Sequence, residues 1–159
     1  MSRNVKLTVF SDTHGNVGAI RSALAEINSS DYFVFLGDGY RDLCRVQDEI
    51  TVPTIAVCGN CDLFCPLPSQ EVITAGGCSI LVTHGNAHGV KSSLLSLAAY
   101  AAQNDCAYVL YGHTHRALIR EINGVVTINP GSASGKGSRA SYAVVEGTNG
   151  SFGAKILYV

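Results

Sequence analysis

The first 60 residues alternate short apolar, β-rich runs with segments of helical periodicity, and this alternation restricts the fold more than any other feature. The runs VKLTVF (5–10), YFVFLGD (32–38) and TIAVCGN (54–60) are typical of strands. Between them, VGAIRSALAEIN (17–28) places apolar residues at helical spacing, and LCRVQDEI (43–50) indicates a shorter helix. The order β-α-β-α-β predicts a parallel sheet with helical crossovers.

The rest of the chain is dominated by hairpins. Turn pairs at Gly76-Gly77, Asn123-Gly124 and Asn149-Gly150 each separate two β-rich runs, as expected of antiparallel strands. One strong helix, SSLLSLAAYAAQN (92–104), and a following strand, AYVLYGH (107–113), precede the last two hairpins. We therefore expect an α/β arrangement first and antiparallel β-structure last.

Composition and charge exclude several classes of protein. Of the 159 residues, 47% are hydrophobic and 14% are charged, which is a globular composition. The net charge of -1 gives no electrostatic support for binding nucleic acid or an anionic membrane. We expect one domain over residues 1–159, in which GSASGKGS (131–138) forms a mobile surface loop.

The N-terminal segment and the cysteines indicate where in the cell the protein is located. The N-terminal segment MSRNVKLTVFSD has too short an apolar run for a signal peptide, and no stretch is long enough for a transmembrane helix. We therefore expect a cytoplasmic protein without membrane contact, and reduced thiols at all six cysteines. These are Cys44, Cys58, Cys61, Cys65, Cys78 and Cys106.

Polar side chains with metal-binding chemistry follow the predicted strands. The strand ends carry SDTHG, GD, GNCD, THG and GHTH, each with a glycine suited to a tight turn or a close backbone approach. Because sites in α/β sheets form at the carboxyl ends of strands, five segments should deliver their donors to one edge. The donors are Asp12, His14, Asp38, Asn60, His84, His113 and His115.

The size of this set indicates two metal ions. One ion takes about four to six donors, so seven suit two ions that share a carboxylate, and Asp38 is the natural bridge. Nitrogen and oxygen ligands without thiolate favour Mn, Fe, Zn, Co or Ni. Mn²⁺ is the first choice, because Asp and Asn oxygens suit a hard ion, and Ni²⁺, Co²⁺, Fe²⁺ and Zn²⁺ are the alternatives.

The ordered series of strand-end motifs resembles the calcineurin-like metallophosphoesterases, and within them the small single-domain phosphodiesterases of bacteria and archaea. The match runs from Asp12 to the NPGS turn at Asn129–Ser132. The resemblance implies a four-layer α-β-β-α sandwich of two mixed β-sheets flanked by helices. It also implies hydrolysis of a small phosphodiester by in-line attack of a hydroxide that bridges two metal ions.

The resemblance further implies a role for each donor. The first ion would be bound by Asp12, His14 and His115. The second would be bound by Asn60, His84 and His113, with Asp38 bridging. The residues closest to catalysis would be Asp38, Asn60, Cys61 and His113. If the end of the strand is extended, His113 and His115 point the same way and can reach neighbouring ions, with Thr114 facing the other side.

Two positions depart from the wider superfamily. Most members have a histidine after the Gly-Asn pair, thought to protonate the leaving group, whereas Cys61 stands here, as it often does in the small phosphodiesterases. A thiol is a weak donor, so leaving-group protonation is unassigned. Asn86 replaces a histidine common in relatives, and His88 follows two residues later. The substrate and the oligomeric state, including a homo-oligomer, stay open.

Other functional interpretations are less favoured. The alternative is a catalytically weak metal-binding scaffold of the same fold that acts in protein–protein interaction. Such a protein typically lacks a metal-binding histidine, whereas this chain keeps all seven donors. A cysteine-nucleophile phosphatase would need a Cys-x5-Arg loop, which the chain lacks. Packing is favoured over a zinc or redox site for Cys58, Cys61 and Cys65. Phosphate binding and a solvated loop position are equally favoured for Lys136 and Arg139, and phosphate binding is slightly less favoured for Arg41. Asn16 is favoured as a helix cap.

Overall fold

A computed structural model describes residues 3–159. It contains ten strands in two five-stranded sheets. The strands are β1 (Val5–Phe10), β2 (Tyr32–Phe35), β3 (Thr54–Ala56), β4 (Gln70–Ala75), β5 (Cys78–Thr83), β6 (Tyr108–Leu110), β7 (Leu118–Ile122), β8 (Val125–Asn129), β9 (Ser141–Thr148) and β10 (Ser151–Tyr158). The helices are α1 (Val17–Ser22), α2 (Leu24–Asn28), α3 (Tyr40–Val46) and α4 (Leu95–Gln103).

Both sheets combine parallel and antiparallel pairs. The first sheet has the order β10-β9-β1-β2-β3, in which β1, β2 and β3 are parallel and β9 runs antiparallel to β1. The second sheet has the order β4-β5-β6-β8-β7, with β5, β6 and β8 parallel. The three predicted hairpins are present as β4–β5, β7–β8 and β9–β10.

Three apolar clusters define the layers. Residues from both sheets, including Leu7, Val34, Ile80 and Leu110, form the central core between them. A second cluster packs α1, α2 and α3 on the outer face of the first sheet, and a third packs α4 on the second sheet. The predicted four-layer sandwich of two mixed sheets flanked by helices is therefore confirmed.

The element boundaries differ from the predictions in informative ways. The single helix predicted over 17–28 is two short helices that break at Ala23, where the Ser22 hydroxyl donates to the carbonyl of Ala19. Ile20 and Ile27 nevertheless pack in the same core cluster. The strands β2, β3 and β6 end before their predicted limits, and the residues that follow them form the loops of the candidate site.

The segment 131–138 is only partly a surface loop. Gly131–Ser134 is buried, and the exposed part begins at Gly135. The Ser132 hydroxyl donates to the backbone carbonyl of Asp12 over 2.9 Å, which ties this segment to the loop after β1. Within residues 3–159, no helix is both long enough and apolar enough to span a bilayer.

Candidate metal centre

The candidate ligands lie on loops at the carboxyl ends of parallel strands from both sheets. In the first sheet, the loop after β1 carries Asp12 and His14, and the loop after β2 carries Asp38. In the second sheet, His84 follows β5 and the histidine pair follows β6. The two sheets thus each present donors at the same edge of the sandwich.

Five of these residues adopt left-handed backbone conformations. Their φ angles are 55° at Asp12, 43° at His14, 58° at Asp38, 71° at His113 and 62° at His115. Non-glycine residues rarely occupy this region, and they do so mostly at functional sites where surrounding contacts compensate the strain. The strain is thus concentrated in the loops that carry the candidate ligands.

Glycines next to the ligands permit close packing of these loops. A Cβ atom on Gly37 would collide with the backbone of Gly59, and one on Gly112 would collide with the side chains of Ser11 and Asp12. The close backbone approach expected beside the strand ends is therefore present at these two positions.

One group of mutually close ligand atoms comprises Asp12, His14 and His115. Asp12 Oδ1 lies 3.5 Å from His14 Nε2 and 3.2 Å from His115 Nε2, and the two Nε2 atoms are 3.3 Å apart. Asp12 is fully buried, whereas the His115 side chain is 44% exposed. The group is therefore anchored in the protein and open to solvent on one side.

A second group comprises Asp38, His84 and His113. The Leu36 carbonyl lies 2.7 Å from His84 Nδ1 and accepts its proton, so in the neutral ring it is Nε2 that carries the lone pair and faces the group. The rings of His84 and His113 have centroids 5.1 Å apart. Burial, together with the charges of His84 and Lys91, lowers the pKa of His113 and favours the neutral, ligating ring.

Asp38 lies between the two groups. Its Oδ2 atom is 3.2 Å from His84 Nε2 and 3.8 Å from His14 Nε2. Burial opposes ionisation of Asp38, but contact with His84, the N–H of Cys61 and the charges of His84 and His14 outweigh it and hold its pKa well below its usual range. Asp38 is therefore an ionised carboxylate placed to reach both groups.

Two buried atoms test whether the site suits cations. Asp12 Oδ1 and His84 Nε2 are buried and make no hydrogen bond within residues 3–159. Unpartnered buried polar atoms are costly, and here both face the other ligands. Asp38 and Asp12 overcome the effect of burial and raise the pKa of His84, so the surroundings favour positive charge at this ring. The donors present fit divalent metal ions.

Asn60 and Cys61 lie on the exposed loop after β3. The Cys61 N–H donates to Asp38 Oδ1 over 2.8 Å, and Asn60 Nδ2 donates to Cys61 Sγ over 3.5 Å. Partial burial and the Asp38 charge raise the pKa of the Cys61 thiol. A thiol in this setting stays protonated at neutral pH and is a weak proton donor.

The same loop contains a disulfide that the sequence did not indicate. Cys58 and Cys65 are bonded, with Cα atoms 6.1 Å apart, so the expectation of reduced thiols at all six positions is wrong for this pair. The tight turn between them brings the two thiols together. Cys61 is one of four free cysteines, and the pairing excludes a zinc site built from Cys58, Cys61 and Cys65.

Asp62 organises this region, although its only signal in the amino-acid sequence is its place in the GNCD motif. Its carboxylate accepts four backbone N–H groups at 2.8–2.9 Å, from Asp38, Gly39, Tyr40 and Gly59. It thus joins the loop after β2 to the loop after β3 and positions Asp38.

Asn129 plays a similar part for the histidine pair. Its amide donates to the Gly112 carbonyl over 3.1 Å and to Thr114 Oγ1 over 3.0 Å. The NPGS turn, which begins at Asn129, therefore holds the loop after β6. A signal for this role was present, because asparagine before proline and glycine favours turn geometry.

His113 and His115 do not lie on an extended strand end, so the prediction that strand alternation orients them is wrong. The loop is not extended, since β6 ends at Leu110 and both histidines have positive φ. The two side chains nevertheless enter different groups, His115 with Asp12 and His113 with Asp38. The left-handed turns, held by Asn129, produce this division rather than the alternation of a strand.

The remaining candidate residues contact other parts of the protein, and of these Lys136 contacts the backbone of a candidate ligand. Lys136 Nζ donates to the His14 carbonyl over 3.3 Å. The Arg139 guanidinium lies over the Tyr158 ring at 4.9 Å. His88 Nε2 is 2.8 Å from Gln70 Oε1, and Asn16 caps α1 by accepting from the Ala19 N–H, as expected.

Comparison with known proteins gives consistent matches. The profile of the calcineurin-like phosphoesterase superfamily domain matches residues 5–150. The probable metallophosphoesterase YsnB of Bacillus subtilis (strain 168) is 30% identical over 128 residues, covering 80% of this chain and 75% of YsnB. Phosphodiesterase YfcE of Escherichia coli (strain K12) is 28% identical over 169 residues, covering 89% of this chain and 88% of YfcE.

A solved structure also matches nearly the whole chain. It is a conserved protein from Streptococcus pneumoniae TIGR4, described as a predicted phosphoesterase, with a TM-score of 0.82 and 25% identity. The match covers 98% of this chain and 90% of that one. The comparisons agree with the resemblance drawn from the strand-end motifs.

Proposed function

The chain belongs to the calcineurin-like phosphoesterase superfamily, and from this premise we propose that it is a phosphodiesterase that uses two divalent metal ions. The description of the family as phosphoesterases supports hydrolysis of phosphoesters. The assignment to diesters is supported by the name of the relative YfcE, a phosphodiesterase. We propose Mn²⁺ as the preferred ion, because Asp and Asn oxygens suit a hard ion.

The observation that carries the proposal is that Asp38 Oδ2, which belongs to the second group of ligand atoms, also lies close to a ligand atom of the first. It lies 3.2 Å from one histidine nitrogen and 3.8 Å from another, which belong to different groups. One carboxylate within reach of both groups is what a pair of ions roughly 3.5–4 Å apart requires. Two divalent cations held here would neutralise phosphoryl oxygens and make a water molecule more acidic.

The chain's own residues prepare the site for this chemistry. The Leu36 carbonyl fixes the tautomer of His84, and Asp62 fixes the backbone of Asp38, so the ligands are positioned before any substrate arrives. Asn60 lies on the exposed loop after β3, and we propose its side-chain oxygen as a further ligand of the second ion. The Cys61 thiol lies on the same loop, and its raised pKa makes it a weak proton donor for a leaving group.

The weak acid at Cys61 limits the substrates. An ester with a good leaving group needs little protonation as the bond to phosphorus breaks, whereas a poor leaving group needs more. We therefore expect efficient hydrolysis of activated small phosphodiesters and slow hydrolysis of alkyl monoesters.

The experiment is metal analysis of the purified protein together with a diesterase assay across Mn²⁺, Ni²⁺, Co²⁺, Zn²⁺ and Mg²⁺. We expect up to two bound ions per chain and hydrolysis of bis(p-nitrophenyl) phosphate that chelation abolishes and Mn²⁺ restores. A protein that neither binds nor responds to any of these ions would refute the enzyme and support a scaffold of the same fold.

A further inference from the structure

A pocket of about 330 Å³ opens directly beside the candidate metal centre. His14, Asp38 and Cys61 contribute to its lining, so a phosphoryl group held at the centre would extend a substituent into it. The rest of the lining comes from Gly15, Gly39, residues of α3 and the loop after β3.

Two cationic side chains of α3 line the pocket. Arg41 and Arg45 are four residues apart, which places them on one face of the helix, and both are exposed. Neither forms a salt bridge or a side-chain hydrogen bond within residues 3–159, whereas Arg21 pairs with Glu49 over 3.1 Å. Their guanidinium groups are therefore available to an external anion.

The carboxylates in the same lining are already engaged. Asp42 Oδ2 accepts from the Thr13 hydroxyl over 2.6 Å and from the Gly15 N–H over 2.8 Å. Asp62 accepts the four backbone N–H groups described above. These carboxylates keep their negative charge, but their oxygens are held by the protein's own donors, and within residues 3–159 neither forms a salt bridge with Arg41 or Arg45.

The pocket also has apolar lining. Leu63 is 71% exposed, and Tyr40 lines the pocket together with it. An exposed leucine beside an aromatic ring provides a surface for a planar or apolar group. Guanidinium groups next to such a surface suit a ligand that joins an apolar ring to a phosphate.

We propose that this pocket binds one ester substituent of the substrate and that the substituent carries a second phosphate, which Arg41 and Arg45 hold. The inference rests on the proposed phosphodiesterase function and specifies its substrate class. The substrates are small phosphodiesters in which one ester group is an apolar or aromatic unit bearing a further phosphate, as in a phosphorylated nucleoside.

The test compares two inhibitors that differ by a single phosphate. Thymidine 3′,5′-bisphosphate and thymidine 5′-monophosphate compete against bis(p-nitrophenyl) phosphate in the Mn²⁺-loaded protein. The bisphosphate should inhibit about tenfold more strongly, well above the twofold statistical advantage of two phosphates. The double variant Arg41→Ala/Arg45→Ala should bring the ratio of inhibition constants close to two.

Arg139→Ala is the matched control, because it removes a cation that lies over Tyr158 and does not line the pocket. It should leave the ratio unchanged. A wild-type ratio near two, or an equal loss in the control, would overturn the inference while leaving the diesterase intact. If the protein hydrolyses no diester, the proposed function fails. Calorimetric titration of both nucleotides then still measures the ratio and decides whether the pocket selects the second phosphate.

Discussion

Asp12 Oδ1 illustrates how single atoms define this site. It is fully buried, makes no hydrogen bond within the described chain, and lies 3.2–3.9 Å from the Nε2 atoms of three histidines. A buried carboxylate oxygen left without a donor is costly unless a cation completes its surroundings. The candidate ligands share metal-binding chemistry, and the fold brings their atoms together. Substitution of a single ligand should therefore strongly reduce metal binding.

Asp38→Ala should remove both metal ions, because Asp38 is the residue placed to reach both ligand groups. The number of ions per chain, measured by mass spectrometry, should fall from two to below one, and kcat/KM should drop by more than about 100-fold. Asp48→Ala, an exposed carboxylate in the turn after α3, is the control and should keep both ions. Two ions retained by Asp38→Ala would show that Asp38 is not the bridge.

Cys61→His should help poor leaving groups most. An imidazole is a better acid near neutral pH than a thiol whose pKa is raised, and general-acid catalysis contributes about 10²–10⁴-fold where it is needed. The dependence of kcat/KM on leaving-group pKa should therefore become shallower. Cys44→His, at an exposed cysteine of α3, is the control. An equal effect on all esters would contradict a proton-donor position at residue 61.

At the scale of elements, hydrogen bonds and a disulfide connect the loops that carry the ligands. Asp62 connects the loops after β2 and β3, and Asn129 connects the loop after β6 to the NPGS turn. The disulfide between Cys58 and Cys65 closes the loop that carries Asn60 and Cys61. These links hold left-handed backbone conformations that isolated loops would not keep.

Asp62→Asn should weaken both stability and metal binding. The asparagine NH₂ group cannot accept the backbone N–H groups that one carboxylate oxygen now accepts, so at least one donor pair loses its partner. We expect a loss of about 1–3 kcal/mol in the free energy of unfolding, measured by urea denaturation. The metal content should also fall. Asp48→Asn should change neither, and an unaffected metal site in Asp62→Asn would mean that Asp62 only supports the loop.

At the scale of the whole molecule, the candidate centre lies where the carboxyl edges of two sheets meet over a shared core. Each ligand group draws residues from both sheets: Asp12 and His14 meet His115, and Asp38 meets His84 and His113. A cation bound by either group would therefore connect the two halves of the sandwich. Metal binding should stabilise the fold as a unit.

Metal ions should accordingly raise global stability. At a free Mn²⁺ concentration 100 times the dissociation constant, each of the two proposed sites should raise the free energy of unfolding by about 2.7 kcal/mol. For a chain of this length, each bound ion should therefore raise Tm by roughly 5–10 °C in calorimetry. EDTA should reverse the shift, and Asp38→Ala should show little of it. Equal stabilisation of that variant would place the ions elsewhere.

Local signals in the amino-acid sequence were enough to predict the order of the elements, the hairpins and the candidate ligands. Periodicity indicated the order of the elements, Asn-Gly and Gly-Gly pairs marked the three hairpins, and donors beside glycines at strand ends revealed the candidate ligands. These signals depend on the backbone preferences and chemistry of adjacent residues. They are therefore readable without knowledge of distant contacts.

The arrangement of those residues depends on contacts that form only when the chain folds. The left-handed turns at His113 and His115, the roles of Asp62 and Asn129, the burial of Gly131–Ser134 and the Cys58–Cys65 bond all depend on packing between loops. The availability of Arg41 and Arg45 likewise depends on which carboxylates other segments engage. These features rest on contacts between residues far apart in the chain, and short-range patterns carry no information about which distant groups will meet.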